Sequence, residues 1–372
     1  MMKITITRDE MQKKLGDVQN IVEKKTVMPI LSHCLLEVGG AGGAIYATDL
    51  NMAIREPVEL LGAEQEGAWC IPATKLYEIS KEVDEDIVIQ EDEVGWIKLK
   101  SGKSNFRIAC MNVEDYPRWP VIEEKKSVGI KASVLLSMID KTLYCAGETD
   151  KRYAFNALLF HIDGANKVMT AVGTDGHRLA VITKPVNVDF EDEIKVIVPR
   201  KAVTEIRKFI AANQDDITFD VTDKYVRFNL GEVVFLTRII EGMYPNYEQA
   251  VPKDNDKKAV MDCETLIKSL RRVSLMSAVS KEKSKVVRVD LGEGQMNIFA
   301  VDMGIGEANE GMSVDYEGET LTLGFNARYM LDCLLSMETP RAVAFLKDGL
   351  SPVLLKEEGS EDYRCVVMPM RI

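Results

Sequence analysis

The densest group of chemically active side chains lies in residues 174–178, which read Thr-Asp-Gly-His-Arg. A carboxylate close to an imidazole can orient it, so Asp175 and His177 could act as a general-base pair. The other two histidines, His33 and His161, do not lie in a metal-binding spacing. The chain also contains no G-x-x-x-x-G-K-[ST] loop and no G-x-S-x-G elbow. An enzyme built on this loop is one hypothesis, and a turnover screen would test it.

The cysteines and the apolar content restrict the class of protein. The 372 residues contain seven cysteines, an odd number, without a C-x-x-C pair, which excludes a disulfide framework and a tetrathiolate zinc site. We therefore expect a reducing cytoplasm and no metal or other cofactor. No run approaches the ~18 apolar residues that a membrane span needs, and the first residues alternate like a strand, without a signal-peptide core. Apolar residues at 46% and charged residues at 28% are typical of a soluble globular protein.

The elements that position the loop repeat along the chain. Three segments, 4–22, 129–146 and 259–277, each read as a short strand followed by an amphipathic helix. The apolar residues of the first and third helices recur at helical spacing. These residues are Met11, Leu15, Val18 and Val22 in the first helix, and Leu266, Leu270 and Val273 in the third.

Two further sets of residues recur at nearly the same distance. Segments 71–76, 198–203 and 324–329 each run into a second short helix. Asp49, Asp175 and Asp302 are spaced 126 and 127 residues apart, each after a β-like run. Because the aspartate recurs in all three copies, it indicates a structural turn, whereas the Gly-His-Arg that follows Asp175 is specific to the middle copy.

These repeats predict three copies of one α+β unit of about 125 residues. Each copy reads strand, helix, strands, helix, strands, with two helices packed on antiparallel sheet. We expect domain boundaries in the charged stretches 123–127 and 253–258. The predicted domains are residues 1–127, 128–254 and 255–372.

The distribution of charge leaves two interpretations open. The net charge is −12, but the six predicted helices (8–25, 72–83, 131–146, 199–213, 262–277 and 324–338) together carry +5 and the rest of the chain −17. In the fourth helix a buried stripe of Val203, Ile206 and Ile210 would turn Lys201, Arg207 and Lys208 to water. These charges are either ordinary solubilising charge or a mildly positive helical face that tolerates nucleic-acid phosphates.

Two longer motifs, residues 174–181 and the C-terminal residues 366–372, are more informative about the class of protein than the charge distribution is. Together with the triplication and the length, they closely resemble the bacterial β sliding clamp family over the whole chain. Segments 28–31, 152–153, 198–201 and 244–247 support the resemblance. It implies three DNA-clamp domains per subunit and a head-to-tail homodimer, a ring with twelve helices inside and sheet outside. Twelve helices packed ~10 Å apart would enclose a hole of about 28 Å, wide enough for a hydrated DNA duplex.

The resemblance also implies partners and residue roles. It implies a non-catalytic processivity factor that encircles double-stranded DNA without sequence preference and has no catalytic residue, cofactor or membrane contact. Its partners would be a second copy of the chain, the clamp loader, the replicative and other DNA polymerases, and repair proteins, which dock short peptides between the second and third domains. The residues implied to approach DNA are Lys25, Thr149, Arg152, Tyr153 and Lys201. Those implied to form the peptide cleft are Arg152, Phe155, Thr174, Gly176, His177, Arg178, Leu179, Pro245, Tyr329, Leu350, Pro352, Val366, Val367, Met368, Pro369, Met370, Arg371 and Ile372. Those implied to join the two subunits are Phe106 and Ile108 against Leu275 and Met276.

The chain departs from the family pattern at four of these places. Gln249 and Ala250 stand where family members carry Arg and Val, so one wall of the cleft is smaller and less charged. Ile372 replaces the usual Leu, and Ala154 replaces an aromatic residue near the DNA. A generic scaffold without DNA is the remaining alternative, and retention on circular but not linear DNA separates it from a clamp.

Overall fold

The computed structural model describes residues 1–23, 27–40, 42–120, 122, 125–212, 215–277 and 285–372. These residues form two compact units. Unit 1 consists of Met1–Ala132 with Lys208–Ile239, and unit 2 of Ser133–Arg207 with Ile240–Ile372.

The helices recur in pairs along the chain. The α-helices are α1 (Arg8–Val18), α2 (Ala73–Glu82), α3 (Ala132–Leu143), α4 (Arg200–Ala212), α5 (Tyr247–Ala250), α6 (Cys263–Val273) and α7 (Ala327–Leu335). Short 3-10 helices occupy Pro29–Ser32, Val113–Asp115, Tyr153–Asn156 and Ser274–Met276.

The strands follow the same threefold pattern. The first repeat contains β1 (Lys3–Ile6), β2 (His33–Gly39), β3 (Gly42–Thr48), β4 (Met52–Val58), β5 (Gly62–Ala63), β6 (Gly67–Pro72), β7 (Ile87–Glu91), β8 (Trp96–Ser101) and β9 (Ser104–Ala109). The second contains β10 (Lys126–Lys131), β11 (Ala157–Asp163), β12 (Val168–Thr174), β13 (Arg178–Pro185), β14 (Asn187–Val188), β15 (Glu193–Pro199), β16 (Asp216–Val221), β17 (Tyr225–Leu230) and β18 (Val233–Arg238). The third contains β19 (Lys257–Asp262), β20 (Val286–Gly292), β21 (Gln295–Asp302), β22 (Gly306–Ser313), β23 (Leu321–Asn326), β24 (Arg341–Leu346), β25 (Val353–Glu357) and β26 (Tyr363–Val367).

The three-copy α+β architecture predicted from the sequence is confirmed, with two main helices in each copy. The apolar stripes face inward as expected: Met11, Leu15, Val18 and Val22 are all buried, as are Leu266, Leu270 and Val273. The first helix is shorter than predicted, because α1 ends at Val18 and the chain continues in a tighter turn in which the Ile21 N–H donates to the Val18 carbonyl. The four-residue helix α5 was not predicted.

Side-chain caps define where several helices begin. Thr7 accepts a hydrogen bond from the Glu10 N–H, and Asp262 accepts one from the Thr265 N–H at 2.8 Å. Asn326 caps α7 in the same way. Such caps satisfy backbone donors that the first turn of a helix leaves without partners.

The large sheets of the two units have the same strand order. In unit 1 the order is β6-β2-β3-β4-β18-β17-β16-β10, and in unit 2 it is β15-β11-β12-β13-β26-β25-β24-β19. The junctions β4–β18 and β13–β26 are antiparallel pairs that join strands from successive repeats. Strand pairing therefore crosses the repeats, which explains why residues 208–239 of the central repeat are compact with the first.

Each unit also contains a smaller antiparallel sheet. Its order is β5-β1-β7-β8-β9 in unit 1 and β22-β21-β20-β23 in unit 2. Among the described residues, no helix is long and apolar enough to cross a membrane.

Candidate functional site

The turn that joins β12 to β13 is organised by Asp175. Its Oδ1 accepts the backbone N–H of His177 at 2.9 Å and that of Arg178 at 3.1 Å. The Thr174 hydroxyl donates to the Arg178 carbonyl at 2.7 Å and accepts the Gly176 N–H. Gly176 has a φ of +87°, and a Cβ there would lie 3.3 Å from a guanidinium nitrogen of Arg152. The turn therefore depends on the aspartate, and Gly176 adopts the positive φ of the following residue without strain.

The same turn recurs in the first repeat, as the spacing of the aspartates predicts. Asp49 Oδ1 accepts the N–H of Asn51 at 2.9 Å and that of Met52 at 2.7 Å, and Thr48 donates to the Met52 carbonyl. In the third repeat Asp302 accepts the Gly304 N–H. The aspartates are turn residues in all three copies.

Asp175 and His177 are not arranged as a general-base pair. Its second oxygen is 3.1 Å from Nε of Arg178, so the hydrogen bonds described for this carboxylate go to backbone and arginine. The His177 ring stacks on Tyr329, with centroids 6.4 Å apart and an interplanar angle of 23°. None of the hydrogen bonds described for Asp175 goes to the His177 ring, so the geometry favours the binding interpretation of the loop.

Arg178 is fixed by partners from three elements. Nη1 lies 2.6 Å from Asp332 on α7, and Nη2 donates to the Tyr144 carbonyl at 2.6 Å. Its guanidinium also lies over the Tyr329 ring, 4.4 Å from the centroid. Sequence analysis missed Asp332 and Tyr144, because nothing in the sequence pairs residues so far apart. Arg178 is therefore a rigid part of the wall.

The C-terminal strand lies directly beside this turn. β26 pairs with β13, with Val367 opposite Arg178 and Val366 opposite Leu179. The Met368 N–H donates to the His177 carbonyl at 2.9 Å. The strand β26 ends at Val367, two residues before Pro369, as expected because proline has no backbone donor.

Beyond the proline the tail makes one more contact, which the sequence did not predict. The Met370 N–H donates to the Gly324 carbonyl at 2.8 Å, in an isolated bridge to β23. A Cβ on Gly324 would lie 2.5 Å from the Met370 carbonyl oxygen and closer still to the Ile372 side chain. Gly324 is therefore a positioning residue for the tail. The only signal in the sequence was its place at the start of a repeated segment.

Apolar side chains pack between the turn and the tail. Leu179 and Val366 belong to one buried cluster with Tyr247 and Leu354, and Tyr244 and Val251 pack against its edge. The remaining members of this cluster are Ala157, Leu159, Val172, Val181 and Ile197.

The segment before α5 encloses a cavity. A space of about 450 Å³ opens beside Tyr244, Pro245 and Tyr247. The Tyr244 hydroxyl donates to the Val172 carbonyl at 3.2 Å, and its pKa is raised because the group is buried. Gln249 and Ala250 are exposed, whereas Val251 packs on the apolar cluster.

The remaining predicted cleft residues lie in or next to a short helix, in a turn and in the tail. Arg152 is exposed, its guanidinium lies 3.8 Å from the ring centroid of buried Phe155, and it forms an ion pair with Asp150 at 2.9 Å. Hydrogen bonds from Arg152 lower the pKa of Asp150 to about 2. Leu350 and Pro352 lie in the turn between β24 and β25, where Asp348 accepts the Leu350 N–H. Arg371 and Ile372 are exposed in the tail.

The predicted DNA-contacting residues are exposed where the structure describes them. Thr149, Arg152, Tyr153 and Lys201 are on the surface, and Lys25 lies outside the described residues. On α4, Val203, Ile206 and Ile210 are buried while Lys201, Arg207 and Lys208 are exposed, as the helical stripe predicts.

The predicted interface residues lie on or beside edge strands of the small sheets. Phe106 and Ile108 are on β9, an edge strand in unit 1, but Ile108 is buried within the unit and Phe106 is only partly exposed. In unit 2, Leu275 is 71% exposed in the short helix after α6, and Met276 is partly exposed. That helix packs beside β22, itself an edge strand, which the sequence did not single out. Within the described chain, no group of three metal-binding side chains occurs.

The fold and the groove define a three-domain subunit of the polymerase-clamp type. Three family models match in order: the N-terminal domain of the DNA polymerase III beta subunit over residues 2–121, the central domain over 129–246 and the C-terminal domain over 248–371. The beta sliding clamp of Pseudomonas putida KT2440 is 33% identical and that of Escherichia coli K12 is 29% identical, each over 100% of both chains.

Solved structures agree with these matches. The DNA polymerase III subunit beta from Pseudomonas aeruginosa has a TM-score of 0.93 at 31% identity, with both chains fully covered. The Caulobacter crescentus beta sliding clamp, described with polyethylene glycol bound to a putative beta-motif tethering region, also has a TM-score of 0.93 at 31% identity and full coverage. The chain belongs to the bacterial β sliding clamp family, the beta subunit of DNA polymerase III. This family is a non-catalytic processivity factor that acts as a dimer on DNA with the polymerase.

Proposed function

We propose that the chain forms a head-to-tail homodimeric ring around duplex DNA in the cytoplasm. The ring tethers the replicative polymerase, and the clamp loader, other polymerases and repair proteins use the same docking site. Its domains are residues 1–127, 128–254 and 255–372. The contact with DNA is topological, and Lys25, Thr149, Arg152, Tyr153 and Lys201 face the duplex.

The peptide site carries this proposal. Its supporting observation is the hydrogen bond from Met368 to His177, which seats the tail beside the turn and over the apolar cluster. A linear peptide would place apolar anchors on Leu179 and Val366 and run between Tyr329 and Pro245. Methionines suit such a wall, since their flexible side chains adapt to different ligands.

The subunit interface is proposed from the exposed edges of the two units. β9 carries Phe106 and Ile108, and the opposing surface carries Leu275 and Met276 beside the edge strand β22. Open sheet edges with apolar side chains invite pairing with another chain. Closure of the ring by these edges would leave neither edge open.

The experiment combines sedimentation with retention on DNA. We expect a dimer that, after loading, stays on nicked circular DNA and is released when the DNA is linearised. Equal retention on both forms would contradict topological binding. A protein that is monomeric at every concentration would contradict the ring.

A further inference from the structure

Unit 1 contains a second groove built on the same plan as the peptide groove of unit 2. A cavity of about 1020 Å³ lies between the Asp49 turn and residues 113–120. Tyr46, Tyr116 and Trp119 line it, together with Leu50 and Arg238. All of these residues belong to unit 1.

One hydrogen bond that builds the unit 2 groove recurs here. The Tyr116 hydroxyl donates to the Tyr46 carbonyl at 3.2 Å, and the Tyr244 hydroxyl donates to the Val172 carbonyl at 3.2 Å. The donors are 128 residues apart in sequence and the acceptors 126. A proline follows each tyrosine, at Pro117 and Pro245.

A second hydrogen bond recurs at the junction between repeats. The Arg238 N–H donates to the Asn51 carbonyl at 2.8 Å, as the Met368 N–H donates to the His177 carbonyl at 2.9 Å. The pairing of β4 with β18 thus repeats that of β13 with β26. Arg238 occupies the place of Met368, and Asn51 that of His177.

The side chains that line the two grooves differ in kind. Unit 1 has Arg238 where unit 2 has Met368, and Arg118 where unit 2 has Asn246. Within the described residues, neither arginine forms an ion pair with a carboxylate. The guanidinium carbon of Arg238 lies 5.9 Å from the centroid of the Tyr225 ring. Leu50 is an exposed apolar side chain that also lines the cavity.

We propose that this groove is a second peptide-docking site, which takes a linear acidic peptide with an aromatic anchor. The anchor packs against Tyr46 and Trp119, whose rings meet edge to face with centroids 6.0 Å apart. A peptide carboxylate pairs with Arg238. Arginine beside an aromatic ring is well suited to such a group, because it binds carboxylates through two parallel N–H donors.

The acidic residues of the cavity set the orientation of the peptide. Glu37 also lines it, but it lies on β2, three strands from β18, roughly 14 Å away at the usual strand spacing. Glu114 and Asp115 lie in the short helix that precedes Tyr116. The acidic end of the peptide is therefore placed at Arg238, away from β2.

The test uses the full chain and an acetylated hexapeptide with two glutamates, one leucine and one phenylalanine. The inference rests on the proposed peptide site of unit 2, so calorimetry is performed on the whole protein and on a variant that lacks residues 368–372. We expect two peptides per chain for the whole protein and one for the deletion variant. In the deletion variant, Arg238→Glu should weaken the remaining site about tenfold or more, and Arg238→Lys should retain most of the affinity.

A spectroscopic readout locates the second site. Trp119 lines the cavity, so binding to the deletion variant should change tryptophan emission, and Trp119→Phe should remove that change. Unchanged thermal unfolding of the Arg238 variants excludes a folding defect.

The outcomes separate the two sites. One peptide on the whole protein and none on the deletion variant overturns the second site and leaves the first. Equal binding of a hexapeptide with lysines in place of the glutamates, or no effect of Arg238→Glu, also overturns it. One peptide on the whole protein and one on the deletion variant contradicts the unit 2 site alone.

Discussion

The backbone N–H of Met368 lies 2.9 Å from the carbonyl oxygen of His177 and donates a hydrogen bond to it. Through this bond the end of the chain forms one wall of the groove. The Asp175 turn forms the other wall, and Asp175 lies 126 residues after its counterpart Asp49 in the first repeat. The groove is therefore set by strand pairing at a junction between repeats, and its affinity should respond to changes in the tail without loss of the fold.

Deletion of residues 368–372 should abolish binding of a polymerase-derived peptide to the unit 2 groove. Removing an anchor pocket costs about 2 kcal/mol or more of binding free energy. The core around Leu266 and Leu270 is buried elsewhere in the repeat, so sedimentation should still show the dimer. Calorimetry measures the peptide affinity. Dissociation of the dimer would instead make the tail a structural element, and retained affinity would remove the cleft assignment.

Gly324→Ala should weaken the same peptide without unfolding the protein. The added methyl group would collide with the Met370 carbonyl and with Ile372, so the tail must move away from β23. The matched control is Gly292→Ala in the neighbouring strand β20, where a Cβ would meet nothing closer than 3.9 Å. Equal affinities of the two variants would show that the position of the tail on Gly324 does not matter for binding.

Charged residues at Leu275 and Met276 should convert the dimer into folded monomers. Burying two charges without partners costs on the order of several kcal/mol of association free energy. Analytical ultracentrifugation of Leu275→Asp with Met276→Asp measures the change. Leu335→Asp, a similar change at another exposed leucine of unit 2, serves as the control. A double variant that stays dimeric would place the interface elsewhere.

The thermal stability should fall as the pH rises from 5 to 8, in part because of Glu56. Burial raises the pKa of this carboxyl to about 7, although Lys14 at 3.0 Å opposes the shift. The folded state therefore holds a proton that the unfolded state releases near pH 4.5, and stability is lost as the pH rises through this window.

Glu56→Gln should reduce this dependence, since glutamine cannot titrate. The raised pKa of Glu56 corresponds to a loss of roughly 2–3 kcal/mol in the free energy of unfolding between the acidic and the basic end of this pH range. Melting curves at pH 5.5 and pH 8 provide the comparison, with the exposed Glu82→Gln as a control. An unchanged slope in Glu56→Gln would assign the pH dependence to other groups.

Direct binding of DNA by the unloaded protein should be weak and should be lost when salt is added. The six predicted helices carry only +5, so few phosphates are contacted and the affinity is low from the start, and added salt opposes the counterion release that drives it. Lys201→Glu on α4 should lower the affinity further in an anisotropy assay, and Lys195→Glu on the strand β15 should not. Tight, salt-insensitive binding to one DNA sequence would contradict a topological mechanism.

The sequence alone predicted the order of elements and the turn residues, because these depend on local signals. The apolar stripe from Met11 to Val22 and the spacing of Asp49 and Asp175 are properties of short segments, and the structure shows them as expected. The C-terminal wall was also predicted near residues 177–179, from the resemblance to a family and from Pro369.

Contacts between distant segments could not be predicted in this way. Many strands share similar apolar patterns, so nothing in the sequence of β13 selects β26 as its partner. The ion pair between Arg178 and Asp332 and the bridge from Met370 to Gly324 depend on that pairing. The ion pair between Asp150 and Arg152 is local, but its only signal in the sequence is two opposite charges two residues apart, which are common in any loop.

The strand pairing across the repeats has a consequence for dissecting the protein into fragments. A fragment cut at residues 128 and 254 would carry both β13 and β18 with their partners β26 and β4 removed. It would expose two unpaired strand edges, at β13 and at β18, and such edges pair readily with other molecules. The central third of the chain should therefore precipitate when expressed by itself, while the pairs of neighbouring thirds should each leave only one edge to protect.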